Sequence, residues 1–179
     1  FVFSGSQQHI MEEMFLSANR PFFQSSSMMT LSSIDKKKYI DFANRFFEGQ
    51  SRAMDEDTFE YIYDVSDKVT WYVQAILHGI YEHSKNMINR QLVNDVVREI
   101  IEDQTTAYQN YCAWLTENQQ RLLTAIAKER LVSSPLGQKF IRTYNLPAVS
   151  SVKSALKSLV DKQLVAKTPQ GYLVSDRFF

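Results

Sequence analysis

The hydrophobic period of this 179-residue chain changes abruptly near its end. From 148 to 160, apolar residues recur at the i, i+3, i+4, i+7 spacing of one helix face. Two short extended segments then follow, on either side of Pro169-Gln170-Gly171. The apolar positions of the helix are Val152, Ala155, Leu156, Leu159 and Val160. This change of period predicts a helix that leads into a β-hairpin.

Two more helices are predicted just upstream. Thr116 suits the N-cap of the first, and Ser134-Pro135 opens the second, because proline is favoured in a first helical turn. Their inward-facing residues are apolar at helical spacing: Leu122, Leu123, Ile126, Phe140, Ile141 and Tyr144. Three helices followed by a hairpin form the winged helix-turn-helix plan, so we assign residues 116–179 to a winged-helix domain.

Residues 32–115 show a helical period almost throughout and predict a helical bundle. A cap-like start at Ser32 and Asp35 opens its first helix, Gly49 ends it, and the acidic turn 55–57 opens the second. The stripes expected in the core are Tyr39, Phe42, Ala43 and Phe46, widened by Ile40 and Phe47; Phe59, Ile62 and Tyr63; Val73, Ile76, Leu77, Ile80 and Tyr81; and Leu92, Val93, Val96, Val97, Ile100 and Ile101. Tyr108 to Leu115 either continues the last helix or follows a break near 103–106.

The first 31 residues predict a strand, a helix and a second strand. Phe1–Gly5 is an apolar run that ends in small polar residues, as a buried strand does, and Met28–Leu31 predicts the second strand. Between them, a helix over 7–16 places its apolar residues on one face. The predicted fold class is therefore mostly α, with a small α/β part at 1–31, a helical bundle at 32–115 and a C-terminal winged helix at 116–179.

Composition excludes several classes of protein. No apolar run reaches 18 residues, so no membrane span is predicted, and the single Cys112 excludes an intramolecular disulfide. Both observations favour a cytoplasmic location. The chain starts at Phe1 with neither an initiator Met nor a signal sequence, and SDRFF ends it on two aromatic residues that look exposed. We therefore expect a piece of a longer protein.

The zero net charge hides an uneven distribution. Residues 1–116 hold 10 Lys and Arg against 16 Asp and Glu, whereas residues 117–179 hold 10 against 4. Such asymmetry indicates a partner. The basic part could bind nucleic acid, or it could dock on the acidic part of the same chain.

The predicted third helix of the winged helix carries lysines and small hydroxyls off its apolar face. Such side chains can approach phosphates and base edges in a major groove. The candidate nucleic-acid-binding residues are Ser151, Lys153, Ser154, Lys157 and, in the wing, Lys167. An ordinary solvated face is the alternative, because before its last residues this helix has no Arg, Asn or Gln for bidentate base contacts.

Metal and phosphate-loop motifs are absent from the sequence. His9, His78 and His83 lack metal-binding spacing, and neither G-x-x-x-x-G-K-[ST] nor G-x-G-x-x-G occurs. The candidates for catalysis lie near the first predicted strand. Ser4 and Ser6 fall where ligands bind in open α/β folds, and Arg20 is a lone cation of the kind that can reach a transferring phosphate. A strand-end turn and a carboxylate-paired arginine are the alternatives.

The order FSGSQ strand, EEMF helix, Arg-Pro loop, MMTL strand, helical bundle and winged helix resembles the C-terminal part of prokaryotic AAA+-type ATPases related to the STAND class. The resemblance covers essentially the whole chain. It implies that residues 1–31 are the last strands of a P-loop ATPase core and that residues 32–115 are its helical lid. It also implies that Ser4 or Ser6 is the sensor-1 residue and that Arg20 acts on phosphate charge.

The segment SDKVTWYVQ lies where this family has a glycine-rich turn and a proline ahead of an aromatic pair that approaches the nucleotide. The resemblance therefore implies that Trp71 and Tyr72 contact the cofactor. Asp67 and Lys68 occupy the glycine positions, and Thr70 occupies the proline position. ATP and Mg²⁺ are the cofactors implied for the full-length protein, whose phosphate loop would precede Phe1, so the fragment alone is expected to bind neither and to be inactive.

Three functions remain open from the sequence. The first is an ATPase in which nucleotide state moves the lid and the winged helix, with the N-terminal ATPase core as partner. The second is a DNA-binding transcription regulator with a helical dimerisation or sensing domain. In the third, the winged helix is a protein-interaction module docked on the acidic lid. The oligomeric state stays open in all three.

Overall fold

The structure is a computed structural model that describes residues 1–5, 8–83 and 87–179. Residue contacts divide it into two units, 1–33 and 34–179. The elements in chain order are α1 (Gln8–Leu16), α2 (Lys36–Glu48), α3 (Glu56–Val65), α4 (Thr70–Glu82), α5 (Arg90–Ala113), α6 (Glu117–Glu129), α7 (Gln138–Thr143), α8 (Val149–Asp161), β1 (Val165–Thr168) and β2 (Gly171–Val174). The mostly α fold class with a C-terminal winged helix is confirmed.

The first unit is organised around one buried phenylalanine. Phe15 of α1 is 2% exposed, and its ring centroid lies 5.4 Å from that of Phe3 and 5.9 Å from that of Phe22. The loop after α1 turns back, so that the Gln24 amide donates to the Phe15 carbonyl at 3.0 Å. A small aromatic cluster therefore holds the segments just before and just after α1 against that helix.

Neither predicted strand of the first unit is present in the described residues. Residues 1–5 and 28–31 are irregular, and Phe1, Val2, Met29 and Leu31 are highly exposed. A buried parallel strand needs hydrogen-bonding neighbours, and the one sheet among the described residues is the β1–β2 hairpin. Both strand predictions are wrong for this structure, although apolar composition alone favoured them.

Helices α2 to α5 surround the first core of the second unit. We call these helices the lid and this core the lid core, after the part that the resemblance predicts at 32–115; a lid function for them stays a prediction. Side-chain caps start three of these helices: the side chains of Asp35, Asp55 and Asn89 accept from the backbone amides of the third helical residue. Asp35 itself is the N-cap of α2, so the Ser-x-x-Asp start predicted at Ser32 lies three residues too early. The lid core includes Tyr39, Ile40, Ala43, Phe47, Phe59, Ile62, Val73, Ile76, Ile80, Leu92, Val93 and Val96.

The buried stripe of α2 is narrower than the predicted one. Tyr39, Ile40, Ala43 and Phe47 are buried, whereas Phe42 and Phe46 are 49% and 57% exposed. The apolar residues of α2 form one broad face, about 160° wide at 3.6 residues per turn, and the helix packs on α3 along one side, so part of that face stays outside. The prediction that Phe42 and Phe46 lie in the core is therefore wrong.

Helix α5 settles the alternative left open near 103–106. It runs for 24 residues without a break, from Arg90 to Ala113. Its N-terminal half contributes Leu92, Val93 and Val96 to the lid core, and its C-terminal half carries Tyr108 and Tyr111 away from that core. One continuous helix thus connects the lid to the winged helix.

The winged helix has its own core, formed mainly by α6, α8 and the hairpin. Thr116 and Gln119 form a reciprocal capping box at the start of α6, as the N-cap prediction requires. Helix α7 begins at Gln138 with Gly137 as its N-cap, so Ser134-Pro135 lies in a turn before it rather than in its first turn. Hairpin pairing joins Val165 to Val174 around the predicted Pro169-Gln170 turn.

The hairpin depends on one glycine. Gly171 has φ 148°, and a Cβ there would lie 2.4 Å from the carbonyl oxygen of Val132. Val132 and Tyr172 exchange backbone hydrogen bonds of 2.8 and 2.9 Å, which adds a short third segment beside the hairpin. Glycine at 171 permits this close approach.

Candidate functional site

The last four residues, Asp176 to Phe179, leave β2 and pack on the helices of the lid; we call them the tail. Phe178 is 7% exposed and belongs to the lid core, where its ring lies 4.7 Å from that of Tyr72 in an edge-on arrangement. Phe179 packs instead on the winged-helix core and lies 5.1 Å from the Tyr108 ring. Two adjacent residues therefore join the two cores. The sequence-based expectation that both aromatic residues are exposed is wrong.

The carboxylate of Asp176 is the polar centre of this contact. It accepts from the hydroxyls of Tyr72 in α4 and Tyr108 in α5, each at 3.0 Å, and from the Phe178 amide at 3.0 Å. Burial raises the pKa of both tyrosines, and the hydrogen bond to the carboxylate raises that of Tyr108 further. The two tyrosines therefore stay protonated, as hydrogen-bond donors must.

Arg177 completes the contact on the other side of the tail. Its backbone amide donates to the Tyr72 hydroxyl at 3.0 Å, and its guanidinium donates to the Val174 carbonyl at 2.7 Å. The same guanidinium pairs with Asp67, in the turn before α4, at 3.0 Å. We call the tail and the three lid residues that bind it, Asp67, Tyr72 and Tyr108, the tail latch.

The turn that carries Asp67 has an unusual backbone. Asp67 and Lys68 have φ of 51° and 62°, in the left-handed region that favours glycine. Thr70 is the first residue of α4, a position that favours proline. In the family that the chain resembles, these three positions hold two glycines and a proline. The backbone at each position has the conformation that glycine or proline favours there. Asp67 uses its side chain in the latch instead.

The predicted cofactor-binding pair is divided between two environments. The rings of Trp71 and Tyr72 lie 4.9 Å apart at 90°. Trp71 is 60% exposed, whereas Tyr72 is half-buried and its hydroxyl is engaged by Asp176 and Arg177. Nucleotide contact by either residue stays a prediction, and Trp71 is the one with a ring open to solvent.

The predicted catalytic residues lie in the first unit. Ser4 is exposed, and Ser6 falls outside the described residues. Arg20 forms an ion pair with Glu13 of α1, and each side chain is about half exposed (52% and 55%). This arrangement agrees with the carboxylate-paired alternative for Arg20, and the catalytic roles stay predictions.

The outward face of α8 presents the predicted nucleic-acid-binding residues. Lys153, Ser154 and Lys157 are exposed, as is Lys167 in β1, while Ser151 is half-buried. These lysines have no ion pair among the described residues. Sequence reasoning did not single out two further exposed cations on α7, Lys139 and Arg142, although their i, i+3 spacing places them on one side of that helix.

The described residues contain neither a candidate metal site nor a candidate membrane span. Within residues 1–5, 8–83 and 87–179, no three His, Cys, Asp or Glu side chains are grouped so that they could hold a metal ion. None of the helices in that part of the chain has the length and hydropathy needed to cross a membrane.

Comparisons with known proteins bear on both the domain and the whole chain. Residues 106–179 match the model of a family described as a probable winged helix domain. No curated protein matches the chain. The Walker-type ATPase PABY2304 of Pyrococcus abyssi has a similar structure, with 97% of this chain covered, a TM-score of 0.60 and 13% sequence identity. This chain spans 49% of the length of that protein. It therefore shares its fold with part of a Walker-type ATPase.

Proposed function

We propose that this chain is the lid and winged-helix portion of an ATPase of the AAA+ or STAND type. In this proposal ATP binding and hydrolysis in a P-loop core move the lid, and the lid moves the winged helix. The likeness in fold to a Walker-type ATPase over 97% of the chain supports it, as does the winged-helix match at 106–179.

The tail latch is the observation that carries the proposal. Phe178 lies in the lid core and Phe179 packs on the winged-helix core, while Asp176 binds both α4 and α5. Elements that share a buried, hydrogen-bonded contact move together in a rigid-body transition. The latch thus gives the lid a mechanical connection to the winged helix.

Roles for individual residues follow from the proposal. Ser4 or Ser6 orients the attacking water, and Arg20 stabilises charge on the transferring phosphate of ATP, which Mg²⁺ accompanies. The half-exposed ion pair of Arg20 with Glu13 is a weak restraint, because such surface pairs contribute about 1 kcal/mol or less. Trp71, with Tyr72 beside it, meets the nucleotide from the lid.

The test uses a polypeptide in which this chain is joined to its P-loop core. ATP turnover should be lost in Arg20→Ala. Phe178→Ala should retain turnover but reduce the ATP-dependent change in distance between fluorophores on the core and on α8, with Phe46→Ala as the exposed control. Undiminished turnover in Arg20→Ala would remove that residue from the mechanism. An unchanged distance response in Phe178→Ala would overturn the coupling.

A second function, duplex DNA binding by a transcription regulator, is favoured by one observation. Lys153, Lys157 and Lys167 are exposed and have no ion pair within the described residues. Duplex affinity should then fall with salt and weaken in Lys153→Ala and Lys157→Ala, but not in Lys37→Ala on α2. Lack of binding at low salt would exclude this function.

A further inference from the structure

A cleft of about 480 Å³ lies where the C-terminal end of α5 meets the base of the hairpin. Tyr108, Tyr111 and Trp114 line it from the side of α5, and Leu164, Val174 and Phe179 line it from the winged helix. Its volume is within the range of cavities that bind ligands in proteins. Tyr108, Asp176 and Phe179 also belong to the tail latch, whereas the other lining residues belong neither to the latch nor to the outward face of α8.

Two aromatic rings in the cleft are open to solvent. Trp114 is 72% exposed and Tyr111 is 44% exposed, and their centroids lie 6.4 Å apart at 72°. Trp114 is the C-cap residue of α5, so its position is set by the helix end rather than by burial of its ring. Exposed aromatic faces of this kind are the platforms on which unpaired nucleic-acid bases stack.

One cation and one carboxylate line the cleft. Lys162 lines it, is exposed, and has no ion pair among the described residues. Asp176 is the acidic residue of the lining, and its carboxylate already accepts from two tyrosine hydroxyls and one backbone amide. Residues 117–179 as a whole hold 10 Lys and Arg against 4 Asp and Glu. A negatively charged chain can therefore approach Lys162, and the excess of cations in residues 117–179 offers it further contacts.

We propose that this cleft binds a segment of single-stranded nucleic acid, with one base stacked on Trp114 and Tyr111 and an adjoining phosphate at Lys162. Bases in a duplex are already stacked and paired, so their faces are not available to these rings. A strand is favoured over a free nucleotide because residues 117–179 carry more cations than the cleft lining holds, and these offer further phosphate contacts. The proposal does not rest on the ATPase function, because the contacts it assigns to Trp114, Tyr111 and Lys162 lie outside the tail latch.

The first experiment uses tryptophan fluorescence. The chain has two tryptophans, so Trp71→Phe leaves Trp114 as the one reporter. A twelve-nucleotide oligo(dT) should quench its emission, and the affinity should fall as salt is raised. A matched duplex should quench much less. Absence of quenching at low salt would overturn the proposal, and so would equal quenching by duplex.

The second experiment tests the two contacts with a fluorescently labelled strand and anisotropy. Trp114→Ala should weaken binding about tenfold or more, because stacking of one base on an aromatic ring contributes about 1 to 3 kcal/mol. Trp114→Phe should retain part of the affinity. Lys162→Gln should reduce the salt slope by nearly one, whereas Lys37→Gln on α2 should change nothing. Circular dichroism checks that each variant is folded.

Two further outcomes would count against a strand. Quenching of Trp114 by AMP but not by oligo(dT) would make the cleft a small-ligand site and overturn the proposal. Undiminished strand affinity in a folded Trp114→Ala variant would move strand binding elsewhere, to the face of α8, and would also overturn it.

Discussion

Two surfaces of the winged helix are used in opposite ways. The outward face of α8 keeps Lys153, Ser154 and Lys157 in solvent, without ion pairs among the described residues. The tail starts at Asp176, fifteen residues after the last residue of α8, Asp161. It packs on the lid through its aromatic rings and one carboxylate. The domain therefore has one surface available to a partner and another already committed within the chain.

The difference has a physical origin. Burial of a phenylalanine side chain contributes about 2 to 3 kcal/mol, whereas an exposed lysine is stabilised by water in the folded and unfolded states alike. Packing of a segment that ends in two phenylalanines on an apolar surface therefore stabilises the folded chain. The lysines of α8 would gain no comparable stabilisation by packing on the lid, even though the lid is acidic. One ion pair of the latch, between Arg177 and Asp67, joins the winged helix to the lid.

The largest expected effect is at Phe178. Phe178→Ala leaves a cavity in the lid core and should lower the free energy of unfolding by about 3 to 4 kcal/mol. Lys157→Ala on α8 and Phe46→Ala on α2 are the exposed controls, each expected to change it by about 0.5 kcal/mol or less. Urea unfolding measures all three, and a Phe178 effect no larger than the controls would mean that the tail is not bound to the lid.

A smaller effect is expected at Asp176. Asp176→Ala leaves the hydroxyls of Tyr72 and Tyr108 without their acceptor and should lower the free energy of unfolding by about 2 kcal/mol. A double-mutant cycle with Tyr108→Phe should give a coupling energy above about 0.5 kcal/mol. Additive effects of the two substitutions would show that this hydrogen bond does not contribute.

Alkaline pH should loosen the latch. The folded chain keeps Tyr72 and Tyr108 protonated because their pKa values are raised, whereas the same tyrosines in the unfolded chain lose their protons near pH 10. The unfolded state then binds fewer protons, so the free energy of unfolding falls as pH rises above about 10. In Tyr108→Phe this fall between about pH 10 and 11 should be shallower than in the wild type. Equal slopes in chemical unfolding would contradict the prediction.

The smallest expected change in the free energy of unfolding, and the one that is an increase, is at the turn before α4. Lys68→Gly removes a side chain from a left-handed residue and should raise the free energy of unfolding by about 1 kcal/mol. Asp67→Gly relieves the same strain but loses the ion pair with Arg177, so it should gain less. Thermal melting compares the pair. Equal gains would show that the ion pair adds nothing to the latch.

Local pattern was sufficient to predict the winged helix. The period change at 148–174 predicted α8 and the hairpin because the spacing of an element's own apolar residues shows which face it buries, whatever packs on that face. Thr116 likewise capped α6, because an N-cap bonds within four residues. These signals are local, although the contacts that follow from them, such as those between α6 and α8, are not.

The latch could not be predicted in this way, because its contacts join residues more than sixty positions apart. The hydrogen bonds from Tyr72 and Tyr108 to Asp176 span 104 and 68 positions. No spacing rule indicates which distant tyrosine a carboxylate will meet. The one available signal was the pair Phe178-Phe179, since adjacent phenylalanines are costly to leave in water. The same limit explains the error at Phe42 and Phe46, where the helical period marked an apolar face but not which part of it a neighbour covers.

In the proposed function, the unbroken length of α5 would convert a small tilt at one end of the helix into a larger displacement at the other. A 24-residue helix is about 36 Å long, so a tilt of about 10° at its N-terminal end displaces its far end by about 6 Å. Leu92, Val93 and Val96 fix the short end in the lid core, and Tyr108 lies on the long arm, where it holds Asp176. In the proposed function, helix α5 would act as a lever arm with its pivot in the lid core and its load at Tyr108, and substitutions at the two sites should change the amplitude of movement independently.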